Sequence, residues 1–185
     1  EKYKKTIAQW YEKMDQILGN VMAVLGERDR LIVLSDHGFG TFRRAVHLNS
    51  WLRREGYLEL KDKDALSGQE LLADIEWSKT RAYALGFGGI YLNQKGREKE
   101  GIVNAGSESE TLKKEISEKL EQWVDEKYQE QMVSKVYLNK DIFQGEHAKE
   151  APDVYVGFRE GYRASWQTAM GGVPSDLIED NLKKW

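Results

Sequence analysis

The sequence predicts an α/β fold, and three observations carry that expectation. An amphipathic helical period opens the chain, a short and continuously apolar run follows it, and helix-like and strand-like segments then alternate to the end. Apolar residues make up 40% of the 185, and six Trp and nine Tyr supply enough buriable area to exclude a disordered chain. At this length a single domain, or one domain with a small appendage, can build its own core.

Each element follows from its pattern. Between residues 3 and 25, Tyr3, Ile7, Trp10, Tyr11, Met14, Ile17, Leu18, Val21, Met22, Val24 and Leu25 recur at helical spacing, with Gly26 as the stop. One face of this helix is expected to be buried. The run Leu31, Ile32, Val33, Leu34 suits a strand covered on both faces in a parallel sheet. Leu48, Trp51 and Leu52 mark a short helix closed by Gly56, followed by a brief strand over residues 57–60 and a short helix over 66–75. Residues 81–85 and 90–92 flank a glycine-rich turn and read as a hairpin. Ser107 and Glu110 form a capping box for a helix reaching about residue 128, with Leu112, Ile116, Leu120, Trp123 and Val124 on one face. Pairs Glu110–Lys114 and Glu115–Lys119 would decorate its solvated side. Strands are expected over 133–138 and 153–158, and Pro174 should open a closing helix through Leu177, Ile178 and Leu182.

Composition also excludes function classes. The absence of cysteine removes thiolate metal sites and cysteine nucleophiles, and a formal charge of -3 leaves no electrostatic footprint for nucleic acid. No run of about 18 apolar residues is present, and no stretch has the character of a signal peptide.

The chemistry concentrates in Ser35-Asp36-His37-Gly38-Phe39-Gly40, directly after the apolar run. In an open α/β sheet, ligands gather beyond the carboxyl ends of strands, and glycines there let the backbone turn sharply. On such a turn Asp36 and His37 can converge, and a carboxylate oxygen with an imidazole nitrogen suits Zn²⁺ or a similar divalent metal. Two ligands are less than a site. The bland alternative is that Asp36 satisfies turn amides while His37 packs or donates a hydrogen bond.

Residues 31–40, with His47-Leu48-Asn49-Ser50-Trp51-Leu52 and its continuation to Leu58, resemble the type I phosphodiesterase/nucleotide pyrophosphatase branch of the alkaline phosphatase superfamily. Gly89-Ile90-Tyr91-Leu92-Asn93, residues 151–158 and Gly161-Tyr162-Arg163-Ala164-Ser165-Trp166 extend the resemblance over most of the chain. It implies an alkaline-phosphatase-like fold with the 31–34 strand in a central sheet and a smaller sheet beside it. On that basis residues 1–56 would belong to the metal-site core, 57–160 to a smaller α+β portion, and 161–185 to a return toward the core.

The resemblance further implies a two-metal hydrolase, with Zn²⁺ or Mn²⁺, acting on a small phosphate ester or nucleotide. Asp36 and His37 match the pair that binds one metal. The other ligands, an upstream Asp, an Asp-x-x-x-His element and a late His, and the Thr or Ser nucleophile would lie outside this segment, which is expected to be inactive in isolation. Two alternatives stay open: another superfamily activity, phosphoglycerate-mutase-like or sulfatase, or a non-catalytic interaction subdomain in which Asp36 and His37 are turn residues.

Other candidates have plainer readings. His47 is expected to cap or pack, with a ligand role as the rival, and His147 to be solvated. Gly86-Phe87-Gly88-Gly89 lacks the Lys-Ser/Thr of a phosphate loop and reads as a turn. Arg43-Arg44 and Arg53-Arg54 are expected on a solvated surface, Thr41 in a turn, and Trp10, Tyr11 and Trp123 in the core.

Overall fold

The computed structural model describes residues 3–38 and 40–182, and the chain divides into two units, Glu1–Phe39 and Gly40–Trp185. In the first, helix α1 spans Thr6–Met22 and buries no residue. Its apolar stripe, with Trp10 and Tyr11, is exposed, which corrects the expectation of a core face. The period was right, but periodicity reports which face could be buried and not whether a partner covers it. Gly26 does not end the helix; it sits in the next turn, where its N–H donates to Asp29 Oδ2 at 2.8 Å.

Residues 31–34 form no strand among the described residues, and Leu31, Ile32, Val33 and Leu34 are 40%, 77%, 72% and 80% exposed. The central-sheet strand is therefore overturned here. A parallel strand exists only through ladder partners on its flanks and apolar layers on its faces, and residues 31–34 have no such pairing.

The second unit holds the core. Strand β1 (Arg44–Val46) leads through His47 into α2 (Leu48–Arg54), and Gly56, at φ 77°, reverses the chain as a side-chain-free residue can. The hairpin is present: β2 (Ala82–Leu85) pairs antiparallel with β3 (Gly89–Leu92), joined by a turn in which Gly86 and Gly88 have φ of 75° and 134°. Helix α3 (Ser107–Glu121) precedes a small ribbon, β4 (Val124–Asp125) with β5 (Glu130–Gln131), and then β6 (Val133–Leu138) and the short α4 (Asn139–Ile142). The chain closes with β7 (Val154–Phe158), β8 (Tyr162–Ala164), α5 (Trp166–Ala169) and β9 (Ile178–Asp180).

These strands make a four-stranded antiparallel sheet, ordered β2-β3-β7-β6, and a three-stranded sheet, ordered β8-β1-β9, in which β1 runs parallel to β8 and antiparallel to β9. The second sheet has a buried ionic centre. Arg44 donates through Nε and Nη2 to the two carboxylate oxygens of Asp125, at 2.9 and 3.3 Å, and through Nη1 to Asp180 Oδ1 at 2.6 Å. The expectation that Arg44 is solvated is thus corrected, whereas Arg43 is partly exposed beside Glu130 and stacks 4.4 Å from the Tyr128 ring.

Three further expectations change. The residues from 66 to 75 make only a 3-10 turn, Glu70–Leu72, because backbone groups there bond outward: Gly68 exchanges bonds with Val173, and Leu71 N–H donates to the Met170 carbonyl. Leu71 and Leu72 accordingly sit at φ 58° and 59°. The 57–60 segment is reduced to a single bridge between Leu60 and Ile75. Among the described residues no closing helix follows Pro174, since residues 178–180 complete the ladder on β1 and the Leu177 carbonyl accepts from His47 N–H.

Helix α3 stands, shorter than expected at its end and capped differently. Ser107 is its first residue after Gly106, no side-chain cap is made, and Asn104 bonds Glu108 instead. Lys119 pairs with Glu115 as expected, but Glu110 pairs with Lys113 and Lys140 rather than Lys114. Leu112, Ile116 and Leu120 are buried against β6, and Trp123 stacks on Trp51 with ring centroids 5.6 Å apart. Replacing Leu120 by Ala should cost about 2–5 kcal/mol, because the cavity cannot fully collapse in such a packed site. Urea melts of the two proteins measure this, and an unchanged midpoint would mean the helix faces the wrong way.

Candidate functional site

Asp36 and His37 do converge. His37 Nε2 lies 3.6 Å from Asp36 Oδ2, and the His37 backbone N–H donates to Asp36 Oδ1 at 3.1 Å. Ser35 Oγ donates to the His37 carbonyl at 2.6 Å and tightens the same turn. Both side chains are open to solvent, 86% and 66% exposed for Asp36 and His37. The ring is oriented from its other nitrogen, since His37 Nδ1 lies 3.0 Å from the Gly38 carbonyl, which accepts its hydrogen bond and leaves Nε2 toward Asp36.

The donor types fit a borderline divalent metal, and so does the spacing. Two ligand atoms each about 2 Å from a tetrahedral zinc lie roughly 3.3–3.5 Å apart. The number of donors is incomplete: among the described residues no group of three or more His, Asp or Glu side chains could hold a metal ion.

The other candidates resolve as scaffold. His147 is exposed between Glu146 and Glu150, 3.2 and 3.4 Å away. The 86–89 glycines form the β2–β3 turn and not a phosphate cradle; a Cβ on Gly88 would meet the Val156 carbonyl at 2.9 Å. Thr41 lies exposed outside any regular element. Arg53 is occupied with the Lys63 and Ala65 carbonyls, and Arg54 lies over the Trp123 ring.

Sequence reasoning missed how the other resemblance segments work. Buried Asn49 imitates a neighbouring strand for β2, accepting from Ala84 N–H at 2.7 Å and donating to the Ala84 carbonyl at 2.9 Å. Asp153 accepts a fork of two bonds from Arg97, at 2.6 and 3.2 Å, and also caps Leu92 N–H at 2.7 Å. At Asp153 a charged residue between Pro152 and Val154 was the available signal; Asn49, beside Ser50, offered none.

His47 is a buried member of the β1–α2 junction, 1% exposed, with Nδ1 2.7 Å from Ser165 Oγ and Nε2 3.8 Å from Glu179. Burial pushes its pKa down, against the opposing pull of Glu179 and Asp176. A base that must stay neutral when folded and can protonate when unfolded costs stability as pH falls. The loss should begin near about pH 6.5, the unfolded value, and level off below the depressed folded value. Stability of the wild type should therefore drop more steeply between neutral pH and pH 5 than that of His47→Gln, as followed by denaturant titrations. Parallel pH profiles would show that the imidazole is not held neutral.

Comparison with known proteins places this geometry in context. No curated protein and no solved structure matches the chain at a significant level. The family model for type I phosphodiesterase / nucleotide pyrophosphatase matches residues 2–173. That match spans nearly the whole chain, including the Asp36–His37 turn and the Asn49 and Asp153 scaffold, and the chain belongs to the type I phosphodiesterase / nucleotide pyrophosphatase family.

Proposed function

We propose that this chain supplies Asp36 and His37 as two ligands of a divalent metal, Zn²⁺ or Mn²⁺, in a phosphoric ester hydrolase acting on a phosphodiester or nucleotide pyrophosphate. The observation that carries the reading is the 3.6 Å approach of His37 Nε2 to Asp36 Oδ2, with Nδ1 held on the Gly38 carbonyl. The family match supports the class of reaction.

Each residue then has a defined part. His37 offers the Nε2 lone pair, the Gly38 carbonyl fixes the ring, and Asp36 offers a carboxylate oxygen while its other oxygen holds the His37 amide. The chemistry supplied by metals bound at such a site is neutralisation of phosphoryl charge and activation of a hydroxyl nucleophile. The nucleophile and the completing ligands come, in this reading, from residues outside the chain, because two donors hold a metal poorly.

Calorimetric titration with Zn²⁺ and Mn²⁺ tests the pair. The 185-residue chain should bind weakly, lose that binding in both Asp36→Ala and His37→Ala, and leave a nitrophenyl phosphodiester unhydrolysed. Tight stoichiometric binding that survives both substitutions would place the metal elsewhere, and turnover by the chain alone would refute the ligand count.

A further inference from the structure

Strand β8 carries a cation, Arg163, in an unusual setting. Arg163 has no carboxylate partner among the described residues; its Nε donates to the Ala164 carbonyl at 3.1 Å, and no other hydrogen bond is made by the guanidinium. Instead the group is boxed by rings, 4.5 Å from Phe42, 5.1 Å from Trp166 and 5.6 Å from Phe87. Stacking uses the faces of a guanidinium, so its Nη edge keeps the geometry that pairs with an oxyanion.

Arg163 lines a cavity of about 400 Å³, within the range of small-ligand sites, whose walls also include Phe42, Ala45, Trp166 and Leu182. The walls are held in place. Arg163 is fixed by the β8–β1 ladder, and Trp166 follows Ser165, whose Oγ accepts from Thr168 N–H at 2.9 Å. Trp166 and Phe87 nonetheless remain 57% and 55% exposed while packed edge to face at 5.4 Å, a large aromatic surface left to solvent. The acids on the rim are Asp180, neutralised by Arg44 and Lys127, and Glu179, which is about half exposed and lies 3.8 Å from His47 Nε2, so the anion must seat on the Arg163 side of the cavity.

We propose that this cavity binds a planar aromatic ligand bearing an oxyanion, phosphate or carboxylate, with the ring against Trp166 and the anion on the Nη edge of Arg163. The site needs no metal and does not rest on the hydrolase reading.

Calorimetry of the chain in the presence of EDTA, with phenyl phosphate, benzoate, inorganic phosphate and benzyl alcohol as probes, tests it. At least one ring-bearing anion should bind roughly tenfold or more tightly than either inorganic phosphate or benzyl alcohol, because only it engages both halves of the site. The better of phenyl phosphate and benzoate identifies the oxyanion. Arg163→Gln should weaken that binding about tenfold or more. Trp166→Ala, an exposed change expected to leave folding intact, should remove the advantage of the ring while sparing the weak binding of inorganic phosphate. The proposal is overturned if no ring-bearing anion saturates the protein at millimolar concentration, or if the affinity survives Trp166→Ala.

Discussion

A single buried cation fixes how the second unit is assembled. Arg44 sits at the middle strand of the β8-β1-β9 sheet, and its guanidinium reaches Asp180 on β9 and Asp125 at the end of β4. Tyr162 on β8 adds its hydroxyl to Asp125 at 3.3 Å, so all three strands and the ribbon meet at one charged centre. Asp125 is almost wholly buried, and removing its partner would strand a carboxylate away from water at a cost of about 3–5 kcal/mol. The registers of β1 against β8 and β9 place Arg44 opposite Tyr162 and Asp180, so a slipped strand would separate the charges as well as the ladder. The aromatic box around Arg163 inherits its geometry from that register.

The two units solve opposite problems. The second pairs most of the polar side chains it buries, Asn93 Oδ1 excepted, with Asn49 serving the edge of β2 and Asp153 joining Arg97 to β3. The first leaves most of its apolar residues, and the Asp36 and His37 side chains, exposed to solvent. Asp36 and His37 are set by a turn through Ser35, Gly38 and their own backbone. A turn of this kind can orient two donors without forming a deep site, and further ligands would be needed to close a coordination shell.

Local physics was legible in the sequence and tertiary partnership was not. The α3 stripe, the glycine hairpin, and the β6 and β7 runs formed as their periods required, because cover for each lies within the same unit. The same reasoning failed for residues 31–34, where apolar character was read as burial, and for 174–182, where a proline and three apolar residues suggested a helix but an open edge of β1 recruited a strand. The strands at Arg44–Val46 and Tyr162–Ala164 escaped notice because an arginine and short length mask a buried pair. At the candidate site, convergence of Asp36 and His37 could be anticipated from a glycine turn, but the orienting bond to the Gly38 carbonyl could not.

The central claim is that Asp36 and His37 bind metal for hydrolysis. It is tested most directly in a protein that unites this chain with the completing ligands and nucleophile. Bound metal, measured by elemental analysis, and hydrolysis of a nitrophenyl phosphodiester should be determined on the same samples of wild type, Asp36→Asn and His37→Gln. The account predicts that each substitution lowers the metal content and cuts turnover roughly a hundredfold or more, with the thermal stability of the second unit preserved. Full metal occupancy with undiminished turnover in both variants would contradict it.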